Sequence, residues 1–251
     1  MDVYDWNDLA SFSQTKYFSL GTGISVGSFD GLHLGHRALL ESLITACRER
    51  NIAPGIITFK RPLPAIKHSD DYTGDISTLA QRQRFFEKLG FDFTIVVDFN
   101  EAFSSLKGVD FLTLIKQSLN MKFLAEGIDF RCGYKGATDT QAIKYWAGQN
   151  GVEYCFVDPV YYTESDGIEE RISSSYIRSM INKGFFTRVS ELLARPYELD
   201  LEEIRLLGKT NQVLPPDGFY QTTSENGEYT RIHIENRMIK ELPDCSSVLF
   251  T

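Results

Sequence analysis

Cysteine is scarce. The four thiols, Cys47, Cys132, Cys155 and Cys245, are spread over a chain of 251 residues, and no two have zinc or redox spacing. No disulfide framework is visible, so a reducing compartment is expected. A basic surplus is missing too. Lysine and arginine number 26 against 34 acidic residues, a net charge of -8, which speaks against a general nucleic-acid binder. The start, MDVYDWNDLA, is acidic and has no basic-then-apolar leader. No apolar run approaches the length of a membrane span. The expectation is a cytoplasmic globular protein with small-molecule partners, no nucleic acid and no membrane. Its length suits one sizeable domain and a small one; the sequence does not give an oligomeric state.

What is present is concentrated in residues 24–40, ISVGSFDGLHLGHRALL. A short apolar run, Ile24-Ser25-Val26, leads into a turn of small residues, Gly27, Ser28, Asp30 and Gly31. An apolar helical pattern then begins with Leu34, Ala38, Leu39 and Leu43. The pattern predicts a strand, a tight turn and a helix N-terminus. Unpaired N–H groups at a helix start carry partial positive charge and suit phosphate. His33 and His36 lie three apart at that start, so both are expected on one face toward such a phosphate. Two histidines at this spacing also suit a metal, but no third ligand lies nearby.

Further along, strands are expected at 56–59, 93–97, 123–125 and 152–157. Helices are expected at 77–89, 109–120 and 139–150, with Val109, Phe111, Leu112, Ile115 and Leu119 inward in the second. Residues 60–76 read as a long loop, and loops of that length are more often functional than idle. Apolar strands alternating with helices predict an α/β fold with a parallel sheet covered on both faces. Ligands of such sheets bind beyond the strands' C-terminal ends. A second phosphate-suited helix start is Arg171-Ile172-Ser173-Ser174-Ser175-Tyr176-Ile177-Arg178. Ser173 is a good N-cap, and Arg178 shares a face with Ser174. A guanidinium fork suits polyphosphate.

The string Gly27 to His36 resembles the H-x-G-H nucleotidyltransferase signature, and specifically the G-x-F-D-G-x-H-x-G-H form in the adenylyltransferase module of prokaryotic FAD synthetases. The serine–arginine segment is similar to that family's I-S-S-T-x-x-R, with Ser175 in the Thr position. The resemblance covers about residues 20–197. It ends at Ala194-Arg195-Pro196-Tyr197, which is similar to G-R-P-Y. Two places depart from the family: Lys60-Arg61-Pro62-Leu63-Pro64 lacks its histidine, and Cys132 replaces its second aromatic.

The resemblance implies a Rossmann-like fold and an ATP:FMN adenylyltransferase that yields FAD and pyrophosphate. Mg²⁺ would be carried by ATP, with no protein metal site. It implies that His33, His36, Ser174 and Arg178 act at the reacting phosphates. Gly27, Ser28, Phe29, Asp30, Ser173 and Ser175 complete the ATP site. Phe59, Phe99, Asp129 and Phe130 are candidates for the flavin. An H-x-G-H enzyme with another acceptor, nicotinamide mononucleotide or phosphopantetheine, is one alternative. A non-catalytic flavin- or nucleotide-binding protein is another.

Residues 1–186 are expected to form the adenylyltransferase domain. Residues 187–251 are expected to form a linker and a small β subdomain, read as a truncated remnant of a riboflavin kinase-like module. Its hairpin would run through 220–223 and 229–234 around Asn226-Gly227. The tail has no glycine-rich loop and no P-T-x-N, so no kinase activity is expected of it.

Overall fold

A computed structural model describes residues 1–63, 65, 72–163 and 167–250. Part of the expected 60–76 loop, including Pro64, lies outside the described residues. The chain divides into two compact units. The first comprises Met1–Phe29, His36–Ile66 and Gln83–Pro159; the second comprises Asp30–Gly35, Lys67–Arg82 and Val160–Thr251.

The first unit is built on a six-stranded parallel sheet among the described residues, in the order β1-β4-β3-β2-β5-β6. Its strands are β1 (Asp2–Asp5), β2 (Thr22–Val26), β3 (Ala53–Phe59), β4 (Phe93–Val97), β5 (Met121–Gly127) and β6 (Glu153–Val157). β2 and β3 are buried along their whole length, which is why they carry apolar or small side chains on both faces rather than alternating with charged ones. Successive strands step outward from β2 to β4, and the chain then returns to place β5 on the other side of β2. β2 and β5 therefore flank the topological switch point, where open α/β sheets take their ligands.

Helix α1 (Lys16–Leu20) precedes β2, and α2 (Leu34–Arg50) follows the glycine-rich turn. α2 turns Leu39, Leu40, Leu43, Ile44 and Cys47 inward. Gly23 of β2 leaves the space that the Cys47 thiol and Leu43 fill. On the core side of the sheet, Ile24, Val26, Ile57, Ile95 and Leu124 pack with Phe111, Leu112 and Ile115. α3 (Leu79–Leu89), α4 (Glu101–Ser104), α5 (Gly108–Leu119) and α6 (Thr140–Asn150) complete the crossovers. Asp139 caps α6 by accepting from the Ala142 N–H, and Gly151 closes it in the left-handed conformation.

Three expectations change. The first residues form β1, parallel to the β4 edge, so five strands become six. β3 starts earlier than expected and includes Pro54, whose carbonyl accepts from the Asp92 N–H. Val109 faces outward at 47 % exposure, because α5 begins at Gly108 and its inward stripe is Phe111, Leu112, Ile115 and Leu119.

The second unit carries a five-stranded antiparallel sheet in the order β12-β11-β10-β13-β9. Its strands are β9 (Tyr197–Asp200), β10 (Gly218–Ser224), β11 (Tyr229–Glu235), β12 (Met238–Ile239) and β13 (Ser247–Phe250). The hairpin is the expected one, and the Gly227 N–H donates to the Ser224 carbonyl in its turn. A small ribbon, β7 (Tyr161–Thr163) with β8 (Glu169–Arg171), precedes α7 (Ser174–Asn182) and α8 (Phe186–Leu193). Leu199, Ile232, Ile234, Val248 and Phe250 of the sheet share one core with Ile177, Ile181, Val189 and Leu192 of these helices. The boundary expected at 186/187 falls at the first residue of α8, inside this unit. Residues 160–186 belong with the tail because their apolar faces are what cover its sheet. A short helix, α9 (Leu201–Leu207), follows β9.

β2 and β5 pair only from Thr22 to Ile24, with a register irregularity. β2 continues with β3 to Val26, and β5 continues with β6 to Gly127. Beyond Ile24 the two strands part, and the Glu126 carboxylate takes the place of the missing ladder bond, accepting from the Val26 N–H at 2.7 Å. Glu126 is only 2 % exposed, and burial drives its pKa well above the ordinary carboxylate value. An acid whose folded pKa is raised binds more protons in the native state. Above the unfolded pKa, about 4.3, it therefore costs stability increasingly as pH rises toward the folded value. Glu126→Gln retains an acceptor for Val26 and cannot ionise. We expect the variant to gain stability relative to wild type as pH goes from about 5 to 8. Urea unfolding at both ends of that range measures this; a constant difference would rule it out.

Candidate active site

The turn between β2 and α2 is conformationally costly. Phe29, Gly31 and Leu32 have φ of 48°, 80° and 40°. The left-handed region costs a residue with a β-carbon roughly 1–2 kcal/mol, so Phe29 and Leu32 need compensation from their surroundings. In the first unit, the Phe29 ring lies over Gly27, where an added β-carbon would come within 2.9 Å of it. The same ring meets His36 edge-on at 5.4 Å and Phe86 at 5.8 Å. The Ser28 hydroxyl accepts from the Leu63 N–H at 3.1 Å, and the Ser28 carbonyl accepts from the Thr58 hydroxyl.

In the second unit, Asp30 is the centre. It is 1 % exposed. Its carboxylate accepts from the Ile76 N–H at 2.9 Å, the Ser77 N–H at 2.9 Å and the Ser77 hydroxyl at 3.1 Å. Arg178 Nη2 closes the set at 2.7 Å as a buried ion pair. The Asp30 carbonyl accepts from the Ser174 hydroxyl at 2.9 Å. Gly31 donates its N–H to Ser77 Oγ at 2.8 Å, and its carbonyl accepts from Arg195 Nη2 at 2.8 Å. A β-carbon at Gly31 would come within 2.8 Å of Ile76, on top of the strain of its φ.

The serine–arginine helix start is placed by the same contacts. Ser173 caps α7 by accepting from the Tyr176 N–H at 3.2 Å. The Ser174 hydroxyl is given to the Asp30 carbonyl, and Ser175 is exposed. Arg178 is buried. It donates to the Gly74 carbonyl at 2.9 Å and lies over the Tyr72 ring at 4.7 Å. Its first partner in the free protein is thus an acid of its own chain.

His33 is buried and His36 half-buried. Phe59 lies at the C-terminal end of β3 and meets Phe99 at 6.0 Å and Phe103 at 5.8 Å. Phe130 packs against the same core, and Asp129 is exposed. Cys132 is buried, and burial pushes its thiol up to about 12, so it is no nucleophile at neutral pH. Among the described residues, no group of three or more His, Cys, Asp or Glu is placed to hold a metal ion.

Sequence reasoning did not reach Tyr72, Ser77 in its bridging role, Glu126 or Gln212. Of these, only Ser77 carried a signal. It was read as a helix start, but α3 begins at Leu79 behind a reciprocal cap: the Gln81 N–H donates to Thr78 Oγ1, and the Thr78 N–H to Gln81 Oε1.

A parallel sheet with a strand–turn–helix at its switch point, and a separate serine-capped helix start, defines a Rossmann-like protein of the nucleotidyltransferase class. The profile of the FAD synthetase family matches residues 17–176. The chain belongs to the FAD synthetase family, whose reaction is the adenylylation of FMN. It is 27 % identical over 203 residues to the FAD synthetase of Listeria monocytogenes, covering 80 % of each chain. It is 29 % identical over 180 residues to the bifunctional riboflavin kinase/FMN adenylyltransferase of Escherichia coli K12, covering 71 % of this chain and 56 % of that one. The bifunctional protein of Bacillus subtilis is 29 % identical over 225 residues, 82 % of this chain and 68 % of its own. A solved structure, titled a macrolide-efflux protein from Streptococcus pneumoniae, superposes with a TM-score of 0.72 at 19 % identity. It covers all of this chain and 90 % of the other, and it shares the fold.

The Asp30–Arg178 pair yields a stability prediction. Arg178→Met strands a buried carboxylate and should cost about 3–5 kcal/mol. Arg178→Lys keeps the charge but cannot also reach the Gly74 carbonyl or lie flat on Tyr72, and should cost about 1–3 kcal/mol. Denaturant unfolding of the purified variants checks both. Equal midpoints for wild type and Arg178→Met would mean the pair contributes nothing.

Proposed function

We propose that the chain transfers AMP from ATP to FMN, giving FAD and pyrophosphate, with the Gly27–His36 segment holding the reacting phosphates. The observation that carries this reading is the strained turn itself. Four other parts of the second unit, at Ile76–Ser77, Ser174, Arg178 and Arg195, hold the two residues Asp30 and Gly31. Strain held this tightly in a turn ahead of two histidines is characteristic of a site that positions a ligand.

In the reaction, an oxygen of the FMN phosphate attacks the α-phosphorus of ATP. A new P–O bond forms, the bond to the β-phosphate oxygen breaks, and pyrophosphate leaves with the electron pair. The attacking phosphate is already ionised at neutral pH, so no general base is needed. Positioning and charge stabilisation supply the catalysis. His33 and His36 donate N–H groups to the phosphates at the reacting centre. Ser174, Ser175 and Arg178 serve the β- and γ-phosphates, and Gly27, Ser28, Phe29, Asp30 and Ser173 shape the nucleotide site. For Arg178 this role is exercised from its place on Asp30, whose carboxylate fixes one edge of the guanidinium. Asp30 itself is fully engaged and has no oxygen to spare for a cation. In this reading magnesium arrives as part of the MgATP substrate. Phe59, Phe99 and Phe130 offer ring faces and edges at the C-terminal ends of the strands for the flavin, with Asp129 as a polar partner.

The tail contributes no riboflavin kinase activity in this reading. Gly208 closes α9, Gly218 opens β10 and Gly227 sits in the hairpin turn. They stand in three separate turns, so they do not make one loop that cradles phosphates.

Purified protein with ATP, Mg²⁺ and FMN should form FAD, followed by chromatography of the flavins; no FAD above a no-enzyme control would reject the reading. His36→Ala should lower kcat on the order of 10²–10³-fold with little change in FMN binding. Normal turnover with weakened FMN binding would instead place His36 in the flavin site. Riboflavin with ATP and Mg²⁺ should give neither FMN nor FAD, and a catalytic rate of either would show a working kinase.

A further inference from the structure

We propose that the C-terminal antiparallel sheet serves as a positioning brace for the turn that carries His33, acting through Arg195 and Gln212. The inference rests on the adenylyl-transfer reading for its catalytic consequence, and on hydrogen bonds within the second unit for its structure.

Gln212 is 3 % exposed. It forms a parallel bridge with Asp75 just ahead of β10. Its Oε1 accepts from the Asp200 N–H at 2.8 Å. Its Nε2 donates to the carbonyls of Glu198 at 2.9 Å and Ile76 at 3.0 Å, with Gln81 Oε1 at 3.2 Å. Glu198 and Asp200 belong to β9, so this one amide ties the sheet to the segment of Ile76 and Gln81. Backbone bonds from Asp75 to Asn211 and from Val213 to Asp75 reinforce it, as does Thr78 Oγ1 on the Asp200 carboxylate. The fixed segment then presents the Ile76 and Ser77 N–H groups to Asp30, and Ser77 Oγ to the Gly31 N–H. Arg195, two residues before β9, acts directly. Its Nη1 donates to the Leu193 carbonyl at 3.1 Å and its Nη2 to the Gly31 carbonyl at 2.8 Å. Gly31 is therefore held at its N–H through the Gln212 segment and at its carbonyl by Arg195. A turn with left-handed Gly31 and Leu32 directly before His33 has little intrinsic preference for that shape. Phosphoryl chemistry tolerates little displacement of its positioning groups. Neither side chain is assigned to touch substrate.

Two variants test this, Gln212→Glu and Arg195→Lys. Glutamate keeps the acceptor for Asp200 and sets an oxygen against the Ile76 and Glu198 carbonyls. Lysine keeps charge but reaches one carbonyl rather than two. Amide hydrogen exchange is read at Gly31, Leu32, Ile76 and Ser77 and, as a reference, along β10 and β11. We expect exchange at the turn to rise about tenfold or more while the hairpin amides stay within about twofold. kcat for FAD formation should fall about tenfold or more with the FMN KM little changed, because orientation is lost rather than binding. Unchanged exchange at Gly31 and Leu32 would overturn the brace. A uniform rise across the hairpin and turn would also overturn it, since that is loss of general stability. Should Gln212→Glu fail to fold, Arg195→Lys decides alone by the same criteria. If wild type makes no FAD, the adenylyl-transfer reading fails, and the exchange data still judge the brace.

Discussion

Asp30 carries a charge almost wholly out of water, and the second unit supplies what makes that tolerable. A buried carboxylate without partners would cost several kcal/mol. Here two backbone N–H groups, a hydroxyl and a guanidinium share it. Each donor comes from a segment that must be in place for the pair to form. The ion pair is thus less a source of net stability than a specification of one arrangement: any displacement of Ile76, Ser77 or Arg178 leaves a buried charge short of a bond.

The sheet of the first unit meets a related difficulty by the opposite means. Where β2 and β5 part, the Val26 N–H loses its ladder partner, and a side chain replaces it. Glu126 does so from a buried position, and burial favours its neutral form. One buried acid is met by four donors; the other is eased by protonation. Both lie where the backbone departs from regular geometry, one beside a strained turn and the other where a ladder ends. In each case the acid satisfies polar groups that regular structure would have paired.

The α/β pattern was legible because buried parallel strands and capped helices write themselves locally. Val26, Gly27, Asp30, His33 and Leu34 announce a strand, a turn and a helix within ten residues. Asp139 and Gly151 bracket a helix from both ends. β1 was only loosely legible, as a lead-in that could be a short helix or an irregular strand: Asp2-Val3-Tyr4-Asp5 is short, mostly exposed and paired with residues about 90 positions away. The Arg178 fork was read as a phosphate ligand, and no local pattern shows that an acid 148 residues earlier meets it first. Gln212 belongs to no motif, because its role lies entirely in three carbonyls and one N–H from other segments. Glu126 lies just past the strand expected at 123–125, and its burial depends on how two strands diverge.

The sequence separations in the Asp30 network also fix an order of events during synthesis. Arg178 lies 148 residues after Asp30, and Gln212 lies 136 after Ile76. A nascent chain that has exposed β2, β3 and β4 outside the ribosome has the means to begin its parallel sheet. The turn after β2 must wait, with its left-handed residues unsupported, until Arg178, Arg195 and Gln212 have been made. The Gly27–His36 turn therefore takes its final shape only after a segment 148 residues beyond Asp30 has emerged.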